Sequence, residues 1–126
     1  MDISKMTPVE MERHLRETRD AGGAETMSSN QSVALGYTNG CFRLWWSADN
    51  IGDYDWVGIY ENDDKPDDYY LANHWQWASK SSPYDTSLEL HAGYQARYLV
   101  YDYSIKRYVS VARTNPFPPI NVRVYR

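Results

Sequence analysis

The chain has 126 residues, a formal net charge of −4, twelve Tyr and five Trp. That length accommodates one domain with one real core, and so many rings exclude a disordered chain. The acidic balance argues against a generic nucleic-acid binder, whose affinity comes from neutralising phosphates, and no apolar run approaches the length that crosses a bilayer.

Residues 7–21 carry the one good helix pattern. Thr7 can cap it, Pro8 suits the first turn, and Glu10 completes a Thr-x-x-Glu capping box. Gly22-Gly23 would end it. Its apolar stripe of Val9, Met11 and Leu15 is too thin to hold a lone helix in water. Self-association through Met11 and Leu15 is therefore expected, with residues 1–21 an appended helical segment and residues 22–31 a flexible linker.

From residue 32 to 126 the period changes to two. Ser32–Tyr37 and Phe42–Ser47 read as strands around the turn Thr38-Asn39-Gly40, with Phe42, Leu44 and Trp46 inward. The stretch Ser47–Glu61 follows, and within it Asp55-Trp56-Val57-Gly58-Ile59-Tyr60 reads as a strand buried on both faces. Gly58 there implies that a ring or a backbone comes close. After an acidic tip, Tyr69–Trp77 reads as a strand, then Thr86–His91, Tyr94–Asp102, Arg107–Thr114 and an edge strand over Ile120–Arg126. Seven or eight short strands without crossover helices predict an all-β chain, an immunoglobulin-like antiparallel β-sandwich with one appended helix. Leu88 to Tyr94, with Gly93 before the tyrosine, has the spacing of a tyrosine corner and is similar to fibronectin type III domains.

The same residues resemble the SKICH domain and its relatives, immunoglobulin-like modules with a D-W-[IV]-G-[IL]-[FY] strand. The matching pieces are Leu44-Trp45-Trp46, Asp55 to Tyr60, Asp68-Tyr69-Tyr70 with Trp75 or Trp77, and Tyr94–Asp102. The N-terminal domain of purple acid phosphatases carries a similar strand. The resemblance covers about residues 32–115 and implies a non-catalytic domain for protein interaction or membrane targeting. It does not extend to the helix.

Catalytic signatures are missing from the sequence: no Gly-x-Ser-x-Gly elbow and no phosphate-cradling glycine loop. His14, His74 and His91 lack metal-ligand spacing, and no cofactor is expected. The tip carboxylates Asp63, Asp64, Asp67 and Asp68 are the candidates for a calcium site, since hard cations want several oxygens. Acids concentrate between Asp49 and Asp68 and arginines in the last quarter, which predicts a bipolar surface suited to partner contacts. Six aromatics, Trp45, Trp75, Trp77, Tyr84, Tyr101 and Tyr103, exceed what one core needs and are the candidate binding residues. Tyr, Trp and Arg suit a protein interface, and rings flanked by polar groups also hold sugars. The sequence thus predicts a non-catalytic interaction module that self-associates and recognises a protein partner. The alternative is a lectin-like or toxin-like module on glycan or membrane surfaces, assisted by calcium. A single cysteine, Cys41, and the lack of a signal-peptide pattern point to the cytoplasm, with secretion by a non-classical route as the alternative.

Overall fold

All five residues of β3 (Trp56–Tyr60) are buried, because both faces of this strand are covered. The computed structural model describes residues 5–18 and 30–119. On one side of β3, Val57 and Ile59 meet Phe42, Leu44 and Trp46 from a second sheet. On the other side, Trp56 and Tyr60 lie under Met11 and Leu15 of helix α1 (Pro8–Thr18). The fold is therefore three layers deep, with the four-stranded sheet in the middle.

The outer sheet has the order β1 (Ser32–Thr38), β2 (Cys41–Ser47), β5 (Tyr84–Glu89). The middle sheet has the order β4 (Trp75–Trp77), β3, β6 (Gln95–Asp102), β7 (Arg107–Arg113). Every pairing is antiparallel. The chain changes sheet between β2 and β3, β4 and β5, and β5 and β6, the Greek-key course of an immunoglobulin-like sandwich. Asn39 and Gly40 both have positive φ, 53° and 79°, which is what a two-residue type I′ hairpin requires. This turn sets the β1–β2 register, with Thr38 opposite Cys41 and Gly36 opposite Arg43.

Alternation along β6 decides which residue serves which layer. Ala96, Tyr98 and Val100 enter the core between the sheets, while Leu99 and Tyr101 face α1. Two polar ties border the first core, one between the sheets and one within the middle sheet. The Trp46 Nε1–H donates to the Ala78 carbonyl at 2.9 Å, and the Tyr98 hydroxyl donates to Asp55 Oδ2 at 2.8 Å. The close approach implied by Gly58 is made by Trp56, whose ring lies along its own strand. A Cβ on Gly58 would stand 2.7 Å from Trp56 Cζ3. We expect Gly58→Ala to cost about 1–3 kcal/mol, an overpacking penalty read by urea unfolding. An unchanged midpoint would show that the ring has room to move.

Helix α1 is not an appendage. Thr7 N–H donates to Glu10 Oε1 at 2.8 Å and Glu10 N–H to Thr7 Oγ1 at 3.2 Å, so the capping box forms as read. Pro8, Met11 and Leu15 are buried against the chain's own sheet. Burying two such apolar side chains is worth roughly 1.5–3 kcal/mol each, enough to fix a helix that would be marginal alone. The expectation that Met11 and Leu15 face another copy is corrected: both are covered within the chain, at 0% and 1% exposure.

Other expectations shift as well. Only Trp75–Trp77 of the stretch 69–77 is a strand, because the chain turns just before it: Asn73 has φ 69° and the His74 N–H donates to the Leu71 carbonyl at 3.1 Å. Tyr94 stacks on Phe42 and His91. The Pro-rich stretch is tied in by backbone bonds between Tyr94 and Phe117 and between Gly93 and Phe117. Residues 19–29, which hold the expected end of the helix and most of the expected linker 22–31, and the expected strand Ile120–Arg126 lie outside the described residues. No helix among the described residues is long and apolar enough to cross a membrane.

Candidate functional site

Four of the six candidate aromatics come together. Trp75, Trp77, Tyr101 and Tyr103 join Trp56, Tyr60, Tyr70 and Tyr108 in one cluster on the α1 side of the middle sheet. Their rings meet edge to face: Trp56 to Tyr70 at 4.8 Å, Trp75 to Trp77 at 5.1 Å, Tyr101 to Tyr103 at 4.8 Å. Such contacts add to area burial. As open binding residues, however, Trp77 and Tyr101 are corrected, since α1 covers that face and leaves them 4% and 5% exposed. Tyr84 packs on the core between the sheets.

Trp45 stands apart. It projects from β2 onto the outer face of the three-stranded sheet and keeps 39% of its surface exposed. Gly36 makes its posture possible: a Cβ there would be 2.7 Å from Trp45 Cζ3 and 3.1 Å from Cη2, so the indole rests on bare backbone. Arg43, two residues earlier on the same face, brings its guanidinium carbon to 5.8 Å from the ring centroid. Arg43 in turn grips Asp85 of β5 through Nε to Oδ1 and through Nη2 to Oδ2, the latter at 2.9 Å. The hydrogen bond from Arg43 holds the Asp85 carboxyl below its usual range, and Asp85 raises Arg43. Both stay charged at neutral pH and cancel each other. At one end of the face the Ser32 and Ser47 hydroxyls are 2.7 Å apart. The face is thus one ring lying on glycine beside a planar ion pair, with Glu89 farther along it opposite Cys41.

No family model, curated protein or solved structure matches this chain.

The acidic tip serves structure. Asp67 Oδ1 accepts from Arg97 Nη1 at 2.9 Å, and Oδ2 accepts from the Ser110 N–H at 3.0 Å. Arg113 lies 3.6 Å from the same carboxylate. Asn62 Oδ1 accepts from the Asp64 N–H in a tight turn. Asp63, Asp64, Asp67 and Asp68 do not converge, and among the described residues no three His, Cys, Asp or Glu side chains could hold a metal ion. The calcium expectation is corrected for a physical reason: the one inward-facing carboxylate is already neutralised by arginine. Of the basic residues expected to oppose the acidic tip, Arg97 and Arg113 instead meet it at Asp67, while Arg123 and Arg126 lie outside the described residues.

Sequence reading missed Gly36 and Asp85. The first had a signal, since counting back from Asn39-Gly40 sets Gly36 opposite Arg43 and diagonal to Trp45. The second had none, because the β2–β5 pairing is long-range and its register shifts between Cys41 and Arg43.

Proposed function

We propose that the chain is a non-catalytic recognition domain that holds a neutral saccharide against Trp45. The observation that carries this reading is the exposed indole laid flat on Gly36 beside the charge-balanced Arg43–Asp85 pair. A sugar ring offers C–H groups to an aromatic face, whose quadrupole favours them, and hydroxyls to a fork of donors and acceptors that fixes orientation. The pair's cancelled charge favours a neutral sugar over an acidic one. A protein partner is less well served here: standard interfaces cover about 800 Å² per side around several buried anchors, and among the described residues Trp45 is the single large ring on this face. The non-catalytic part rests on the sequence, which carries no nucleophile or phosphate-binding signature. The single free cysteine supports a cytoplasmic site of action.

The test is a titration of the full chain with a panel of neutral and acidic oligosaccharides, followed by the indole N–H resonance of Trp45. A neutral sugar is expected to move that resonance. Trp45→Ala is expected to weaken binding about tenfold or more, about 1.4 kcal/mol, with the remaining resonances dispersed as before. Gly36→Val, which lifts the ring without removing it, is expected to weaken binding too. A panel that leaves Trp45 unmoved, or a Trp45→Ala chain that binds as tightly, would sink the proposal.

A further inference from the structure

Just past β7 the burial pattern changes its period. Thr114 and Phe117 are half-buried, while Asn115, Pro116, Pro118 and Pro119 are exposed. Inward positions three apart match polyproline II, which has about three residues per turn, and not the period of a strand. The sequence enforces that conformation. Pro116, Pro118 and Pro119 have φ fixed near about −65°, and Asn115 and Phe117 each precede a proline, which holds them extended.

The inward edge is fastened to the sandwich. The Thr114 N–H donates to the Ala96 carbonyl at 3.0 Å, and its hydroxyl accepts from the Ala96 N–H at 3.0 Å. The Phe117 N–H donates to the Tyr94 carbonyl at 2.7 Å, and its carbonyl accepts from the Gly93 N–H at 2.8 Å. Its ring meets Phe42 edge to face at 5.0 Å. These bonds run across to the start of β6, not along the segment. The prolines are thus held outward with little freedom left to lose on binding.

At about three residues per turn, Pro116 and Pro119 share one outward edge, and Asn115 and Pro118 share the other. Arg113 precedes Pro116 by the same spacing. Its side chain is 42% exposed even while held by Ser110 and the Asp63 carbonyl. We infer that residues 113–119 are a docking segment for a proline-recognition domain of the SH3 type. The partner's aromatic-lined groove takes the Pro116–Pro119 ridge, and an acidic end of that groove meets Arg113. The occupant follows from the segment itself: rigid apolar rings at a fixed repeat suit an aromatic groove, and one cation at one end sets the direction. The segment shares no residue with the Trp45 face, so this inference is independent of the saccharide reading.

The test uses the full chain, isotope-labelled, against a panel of isolated SH3 domains whose grooves end in acidic or in neutral residues. An acidic-ended domain is expected to bind and to shift the amides of Thr114, Asn115 and Phe117, leaving the Trp45 indole resonance in place. Pro116→Ala with Pro119→Ala is expected to weaken that binding about tenfold or more, because both rings leave the groove. Both prolines are exposed, so the dispersed amide spectrum is expected to persist. If the double variant unfolds, Arg113→Gln decides: weaker binding to the acidic-ended domain supports the inference, and unchanged binding overturns it. A panel that leaves the three amides in place overturns it too and makes the segment a rigid connector only. So does a folded double variant that binds as tightly as the wild type.

Discussion

Replacing Asp67 by alanine is expected to destabilise the fold by about 3–5 kcal/mol, the range for breaking a buried ion pair from one side. Arg97 is fully buried. Its guanidinium lies 3.8 Å from the Tyr60 ring centroid and donates to Gln95 Oε1 at 2.8 Å and to the Asn62 carbonyl at 3.3 Å. Asp67 is the partner that supplies opposite charge at contact distance, with a side chain only 24% exposed. Without it a buried cation keeps only dipoles and a π face. The Ser110 N–H on edge strand β7 loses its acceptor as well. Urea unfolding reads the loss. A change under about 1 kcal/mol, the scale of exposed pairs, would mean that water reaches Arg97 and that the pair is decoration. A companion chain with Arg97→Met and Asp67→Ala removes charge from both sides and is expected to recover part of the loss, because a well-packed apolar replacement needs no partner.

Alkaline pH is expected to unfold the protein cooperatively, starting above about pH 10, the ordinary tyrosine range. Burial raises the phenol of Tyr60, with the Asp67 charge adding to it. Burial likewise raises Tyr98, helped by its bond to Asp55, and Tyr108, helped by the Asp55 charge. Tyr60 and Tyr108 also donate to backbone carbonyls, of Asp67 at 2.5 Å and of Tyr54 at 2.6 Å. In each case the folded state favours the neutral phenol, so the folded pKa lies above the unfolded one. The stabilisation is complete below the unfolded pKa and is lost as pH rises past it. Each such group removes roughly 1.4 kcal/mol per pH unit in that window. Phenolate absorbance is expected to rise in step with loss of the near-ultraviolet circular dichroism. Smooth ionisation of all tyrosines before any unfolding would show that these phenols are not sealed. Tyr98→Phe removes one contributor and is expected to flatten the alkaline limb, at the cost of leaving Asp55 one donor short.

Much of the architecture was legible because it rests on local rules. Thr7 and Glu10 announced the cap, Asn39-Gly40 announced a hairpin and with it a register, and period-two alternation placed Phe42, Leu44 and Trp46 inward. Gly58 announced that a ring lies close. Burial of β3 on both faces was readable from its composition, but not the identity of the second cover, because a thin apolar stripe reads the same whether it meets its own sheet or another copy.

The fate of the aromatics shows the same divide. Periodicity identified six surplus rings, yet Trp45 and Trp77 look alike in sequence, and only packing set one in water and the other under α1. Asp67 looked like any residue of a solvated acidic tip. Its role depends on Arg97, thirty residues away, pointing out of a middle strand toward it. Charges of opposite sign far apart in the chain cannot be paired by pattern, since pairing is decided by which face of which strand each one occupies. The sequence by itself determined most of the strands, the hairpin turn, the cap and the inward faces of β2, because those follow from neighbours one to four residues apart. Only the tertiary structure decided that the helix is a third layer, that the acidic tip is clamped by arginine, and that Trp45 rests on Gly36 beside Asp85. Those outcomes depend on sheet order and on the register shift between β2 and β5, which no local spacing encodes.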